Sequence, residues 1–269
     1  MSIQLFLLIL FAFILGAVIG SFLNVCIYRI PAGISIIRPR SRCPQCGTPI
    51  AWYHNLPILS WVLLKGRCAT CSAPFSVRYP LVEALTGVLF ALFFYRFGFH
   101  PMTPVVLLLV AALVVITFID VDHQIIPDVI SLPGIPVGFL CAFLIPWVSW
   151  QDSLIGILLG GGSLLTIALG YEFLTKKEGM GFGDVKLLAM LGAFLGWTSI
   201  FPIIFIGSLL GTLVGVPLML IKGADRKLAV PFGPFLAAAA LIHLFFVQHF
   251  DPLMRWYVKM IGQLWLSFW

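Results

Sequence analysis

Long apolar runs separated by short polar breaks set the pattern of this chain. A membrane-spanning helix needs about 20 mostly apolar residues, because the hydrocarbon is about 30 Å thick and a helix rises about 1.5 Å per residue. Eight windows fit that scale: 3–25, 81–99, 103–122, 128–149, 153–174, 184–199, 201–221 and 231–249. The sixth is the shortest and carries Gly192 and Gly196. No stretch alternates apolar and polar residues over about ten positions, so a membrane β-barrel is excluded. The first window lacks a preceding basic segment and runs into Asn24, Cys26 and Arg29 without a small-residue cleavage site. It reads as a retained span rather than a signal peptide. After Asp251, the mixture of Trp256, Tyr257, Trp265 and Trp269 with Arg255 and Lys259 predicts an interfacial amphipathic helix.

Composition narrows the class further. Of 269 residues, 61% are hydrophobic and 10% charged, and the mean hydropathy is +1.10. A soluble domain is nearer 45–50% apolar and about 25% charged. Soluble, disordered, collagen-like and disulfide-scaffold readings are excluded. The expected fold is an all-α polytopic membrane protein with about eight transmembrane helices and a small zinc-ribbon-like cytoplasmic insertion. Its expected parts are a first helix over 1–25, a loop over 26–80, a seven-helix membrane domain over 81–250 and an interfacial tail over 251–269.

Charge orients the chain. The net charge is +6, and with the N-terminus outside, 13 of the 16 basic residues fall in the cytoplasmic loops. These are Arg29, Arg38, Arg40, Arg42, Lys65, Arg67, Arg78, Lys176, Lys177, Lys186, Lys222, Arg226 and Lys227; the other side carries Arg96, Arg255 and Lys259. The positive-inside rule selects this orientation. Topology and contact with anionic lipid account for the basic surface. No nucleic-acid fold motif or aromatic-basic platform accompanies it, so nucleic acid is not an expected partner.

The loop 26–80 has no acidic residue and holds Cys43-Pro44-Gln45-Cys46 and Cys68-Ala69-Thr70-Cys71. The pairs are 21 residues apart, just beyond the usual zinc-ribbon spacing of 15–20. Four soft ligands in tetrahedral array suit structural zinc, with Cys43, Cys46, Cys68 and Cys71 as the ligands. A reducing compartment argues against a lasting disulfide. A thioredoxin-like redox pair would need a βαβ pattern that is missing. Cys26 and Cys141, in or beside apolar helices, read as small core residues.

Only ten acids occur, so each can be weighed. Asp152, Asp225 and Asp251 fall at loops or span ends. Glu172 and Glu178 sit beside Lys176 and Lys177 as an interfacial cluster. Glu83, opening the second span, complements a helix dipole. Asp128 after Pro127 is placed to cap the fourth span. Asp120 and Asp122 close the third span about 200° apart around the helix, so only one can face a given partner. Asp184 ends Gly179-Met180-Gly181-Phe182-Gly183-Asp184 and opens the sixth span, where it could serve as an N-cap. Spans three and six thus deliver carboxylates to the same, cytoplasmic boundary. Intramembrane acids are functional candidates by default. Two close carboxylates cannot both ionise readily and share a proton. The ionised partner can then take a proton from water while the protonated one binds a peptide carbonyl. No Ser/His/Asp set, His-Glu-x-x-His or Walker motif competes.

At these residues the chain resembles the type IV prepilin peptidases, over nearly its whole length. The resemblance rests on Gly20-Ser21-Phe22-Leu23-Asn24-Val25 with Tyr28-Arg29-Ile30-Pro31, both Cys pairs, and Trp52-Tyr53-His54-Asn55-Leu56-Pro57 with Ser60-Trp61. It continues in Arg78-Tyr79-Pro80-Leu81-Val82-Glu83, Ile119-Asp120-Val121-Asp122-His123, Ile126-Pro127-Asp128 and Gly181-Phe182-Gly183-Asp184-Val185-Lys186. It implies a Gly-x-Gly-Asp intramembrane aspartyl protease of the bacterial inner membrane, with Asp120 and Asp184 as catalytic pair. Asp120 is preferred because the family's shorter relatives keep an acid only there, and Asp122 stays the alternative. The implied substrates are prepilins and type II secretion pseudopilins, cut after a glycine on the cytoplasmic side. Members with the Cys loop generally also methylate the new N-terminus with S-adenosylmethionine. The methyl-donor site has no motif, and Glu83 and the basic loop are candidate contributors. A competing class is a proton- or cation-coupled transporter with Asp120 and Asp184 as relay carboxylates. Its sites would lie near the midplane, often with inverted repeats, and no clear repeat is present. A membrane scaffold with a zinc-ribbon module would leave the paired acids without a role.

Overall fold

The computed structural model describes residues 2–176, 181–221 and 230–266, with the side chains of 251 and 261–266 outside the description. Lys177, Glu178, Gly179, Met180, Lys222, Asp225, Arg226, Lys227 and Trp269 therefore fall outside the described residues, as do the side chains of Asp251 and Trp265. The described chain is helical, with two isolated β-bridges and no strand among those residues. It forms two compact units, Met1–Ile119 and Asp120–Trp269.

In the first unit, α1 (Ile3–Arg29) begins where the Ser2 hydroxyl accepts the Leu5 N–H at 3.3 Å. It packs along α3 (Arg78–Phe97). Gly16 and Gly20 allow the approach: a Cβ on Gly16 would meet the Phe90 Cβ at 2.7 Å, and one on Gly20 the Glu83 Cα at 2.8 Å. Small residues four apart are what close helix packing in lipid requires. Between the two helices lie the Cys loop and the short α2 (Leu59–Leu63). The helix α4 (Met102–His123) then leads out of this unit.

In the second unit, α5 (Asp128–Cys141) is followed by α6 (Trp150–Thr175), α7 (Phe182–Leu195), α8 (Ile200–Ile221), α9 (Gly233–Phe245) and α10 (Val247–Leu266). A capping box starts α6, with Ser149 and Asp152 bonded reciprocally. Asp152 does more than end a loop. It also accepts from Trp197 Nε1 at 2.8 Å and from Arg255 at 2.9 Å, tying α10 to the start of α6. The centre of the unit is α7, buried at every residue from Leu187 to Leu195 and packed on α5, α6, α8 and α9. The backbones of α6 and α7 touch at Gly156 and Gly192, where a Cβ on either would collide with the other's carbonyl.

Among the described residues, five helices are long and apolar enough to cross a membrane: α1, α3, α4, α6 and Trp197–Ile221, which includes α8. A sixth is obtained if α9 and α10, bent by 77°, form one broken span. The other windows are shorter than expected. The window 128–149 stops being helical at Cys141, and 184–199 gives the 14-residue α7. At about 1.5 Å per residue, 14 residues reach only about 21 Å. Hydropathy detects apolar surroundings without separating lipid from protein interior, and α7 is surrounded by protein. The tail expected to be interfacial belongs to a helix that starts at Val247 and exposes Leu253, Trp256 and Tyr257.

Candidate active site and thiolate cluster

Asp120 lies in the last turn of α4 and is 5% exposed, whereas Asp122 faces outward from the same turn. The helix ends because Gln124 takes a left-handed φ of 54° and its N–H caps the Asp120 carbonyl at 2.9 Å. The chain then turns through buried Ile126 into α5. Asp128 is not the cap expected of it. Pro127 holds that position, and the Asp128 carboxylate accepts both bonds of Lys186 Nζ, at 2.8 and 2.9 Å. The reason is steric: Pro127 fixes its own φ and lets the helix begin directly after it.

Gly181 is the N-cap of α7, so Asp184 sits in the first turn rather than at the cap, with its own N–H on the Gly181 carbonyl at 3.2 Å. Ile126 links the two acids. A Cβ on Gly183 would stand 3.0 Å from the Ile126 Cβ, and one on Gly233 would stand 3.3 Å from the Ile126 Cδ1 and 2.6 Å from Asp120 Oδ2. Gly183, which precedes Asp184, and Gly233, which meets Asp120, therefore abut the same isoleucine. The glycine before Asp184 is needed for that approach.

Sequence reasoning missed Gly233. It opens α9, and its N–H donates to Asp120 Oδ2 at 3.0 Å. The start of a helix offers unpaired N–H groups and the positive end of its dipole, both complementary to a carboxylate. A glycine contributes no side-chain chemistry to read. The available signal was Pro231-Phe232-Gly233-Pro234 at the head of the eighth window.

The four cysteines of the loop converge, with their Sγ atoms all within 4.8 Å of one another and Cys43 to Cys71 at 3.8 Å. Thiolates at the corners of a tetrahedron with bonds of about 2.3 Å stand about 3.8 Å apart. The two halves repeat each other. The Cys43 N–H bonds to Thr48 and the Cys68 N–H to Ala73, while Gly47 and Ser72, next after each second cysteine, have left-handed φ of 69° and 57°. Arg42 bridges Pro49 as Arg67 bridges Pro74. This donor set can hold a metal ion. Cys26 is buried and Cys141 half-buried, both unbridged.

Glu83 departs from its expected role. The helix α3 starts at Arg78, so Glu83 lies beyond the first turn and does not serve the dipole. It is 8% exposed, and its Oε2 accepts the Ile58 N–H at 2.7 Å. It borders a cavity of about 770 Å³ within the first unit.

Comparison with known proteins agrees with this layout. Residues 14–97 match the family model described as the bacterial peptidase A24 N-terminal domain, and residues 107–216 match the type IV leader peptidase family. A relative in Aeromonas hydrophila, named prepilin leader peptidase/N-methyltransferase, is 38% identical over 91% of this chain and 92% of its own length. One of the same name in Pseudomonas aeruginosa is 35% identical over 94% of each chain. A third, in Myxococcus xanthus, is 44% identical over 79% of this chain, which spans 64% of that longer protein. No solved structure matches the chain significantly.

Proposed function

The chain belongs to the type IV leader peptidase family, and we propose that it removes the basic leader of type IV prepilins and type II secretion pseudopilins and then methylates the new N-terminal amine. The observation that carries the peptidase reading is that the start of α7, which bears Asp184, and Gly233, whose N–H is aimed at Asp120, both abut Ile126. The N–H and the α9 terminus complement an anion, which gives Asp120 the role of base. Its carboxylate takes a proton from water, whose oxygen attacks the scissile carbonyl. Protonated Asp184 donates to the carbonyl oxygen. As the tetrahedral adduct collapses, the C–N bond breaks, the leaving amine takes the proton from Asp120, and Asp184 recovers a proton from a hydroxyl of the adduct, restoring the shared-proton state. Asp122, exposed on the same turn, is given no part in the reaction.

A prepilin carries a basic leader before an apolar helix, so it enters the bilayer with the leader inside. The distribution of basic residues supports placing the acid pair and the Cys loop at the cytoplasmic face of the bacterial inner membrane. Zinc is the ion that suits four thiolates at the observed spacing, and its binding would stabilise a loop with little core of its own. S-adenosylmethionine supplies the methyl group: the amine lone pair takes the methyl, the C–S electron pair stays on sulfur, and the amine proton leaves to water. The relatives' names carry peptidase and methyltransferase activity, and none carries transport.

The test is incubation of the purified full chain with a leader-bearing prepilin and S-adenosylmethionine, followed by mass spectrometry. Loss of the leader with one added methyl is expected. Intact substrate after exposure to folded protein would overturn the reading.

A further inference from the structure

The first turn of α7 carries Asp184 and is weakly held by its own residues. No side chain caps it: Gly181 is the N-cap, and Gly183 precedes the acid. Glycine gives up the most backbone freedom in a helix, and only proline is a poorer helix former. Farther along, α7 is locked to α5 by close contact. A Cβ on Gly134 would collide with Met190 Sδ, and one on Gly138 would stand 2.8 Å from the Ala193 Cβ. These contacts begin six residues beyond Asp184 and leave the direction of the first turn to other groups.

Asp120 is followed by a link, residues 124–127, that belongs to neither α4 nor α5. Two contacts fasten this link and the residue after it to α7. The Ile126 Cβ lies 3.0 Å from a Cβ built on Gly183, and the Asp128 carboxylate accepts from Lys186 Nζ at 2.8 and 2.9 Å. Gly183 and Lys186 are three apart and share one face of α7, with Asp184 turned about 100° from Gly183. Attachment at two points resists rotation of the first turn about the helix axis, which the apolar contact alone would permit. The pair adds little to the fold. The Lys186 and Asp128 side chains keep 33% and 56% of their accessible surface, and ion pairs this open to solvent contribute little to stability. What it supplies is direction.

We propose that the Lys186–Asp128 ion pair is a positioning device for peptide cleavage, fixing the first turn of α7, and with it the Asp184 carboxyl, against the link that follows Asp120. The inference rests on the peptidase part of the proposed function. Neither residue moves a proton in the reaction; both are positioning residues that act through Asp184. Misplacing a reacting group by about 1 Å can cost about 100-fold in rate. A contact of small stabilising value can therefore govern turnover.

The experiment measures steady-state cleavage of a leader-bearing prepilin by the purified full chain and by its Lys186→Met, Asp128→Asn and Lys186→Arg variants. A charge-exchanged double variant, Asp128→Lys with Lys186→Asp, completes the set, and a melting temperature is recorded for each. The two neutral variants should lose about 10- to 100-fold in kcat, with KM unchanged and melting temperatures close to that of the wild type. Lys186→Arg should recover most of the rate, and the exchanged variant should exceed both neutral ones, because the effect belongs to the pair rather than to either residue. Neutral variants that fold and cleave at close to the wild-type rate overturn the proposal, as does failure of both rescues. A rise in KM at constant kcat overturns it by placing the residues on the substrate, and loss of the fold in the neutral variants overturns it by making the pair structural. A folded wild-type chain that leaves the prepilin intact overturns the peptidase reading and the positioning role with it.

Discussion

Replacing Gly233 by alanine isolates the contribution of one backbone N–H to the reaction. The added Cβ would lie 2.6 Å from Asp120 Oδ2, roughly 0.8 Å inside ordinary contact at 3.4 Å, and 3.3 Å from the Ile126 Cδ1. The carboxylate has to withdraw, and the bond now at 3.0 Å is stretched out of range. A hydrogen bond to a charged group is worth about 1.5–3 kcal/mol. At about 1.4 kcal/mol per decade, that is a loss of about 10- to 150-fold in cleavage rate. Folding should survive, because alanine is the better helix former by about 1 kcal/mol. Single-turnover cleavage of a prepilin peptide measures the effect, with Gly162→Ala as control, since a Cβ there meets nothing within 4 Å. A Gly233→Ala enzyme that cleaves within about twofold of the control would refute the role given to this N–H.

Three further outcomes follow from the same geometry. Cys43→Ser leaves three thiolates where four converge, so metal analysis of the purified variant should find its bound zinc largely lost and the loop newly sensitive to proteolysis. Asp152→Ala removes the return bond of the α6 capping box and the Trp197 partner. It should cost about 1–2 kcal/mol of stability, read as a lowered melting temperature with cleavage retained below it. Asp184→Asn should still methylate a peptide supplied already cleaved, because the proposed methyl transfer calls on neither acid of the pair; loss of both activities in a folded variant would contradict their separation.

The long helices were legible because a run of about 20 apolar residues has few other uses. The windows at 3–25, 81–99, 103–122, 153–174 and 201–221 correspond to α1, α3, α4, α6 and α8. The shorter helices were not, since α7 is apolar through burial in protein and α5 ends at Cys141 inside a continuous apolar window. Scarcity and expected depth singled out the candidate acids, and the resemblance narrowed them to Asp120 and Asp184. Asp120 was preferred to Asp122 on the resemblance alone, and the helix buries the first and exposes the second. Glu83 was misjudged because α3 begins at Arg78, turning an expected first-turn acid into a buried one. Gly233 acts through its backbone, and no side-chain pattern records which N–H will meet a distant carboxylate. The thiolate cluster was the easiest feature to read, because each Cys-x-x-Cys turn is set locally and repeats the same bonds.

The most direct measurement compares leader cleavage by Asp120→Asn, Asp122→Asn and Asp184→Asn, each purified in folded form at matched concentration. Cleavage should disappear in the first and third, and persist in the second at close to the wild-type rate. An active Asp120→Asn or Asp184→Asn enzyme, or an inactive but folded Asp122→Asn enzyme, would contradict the paired-acid mechanism.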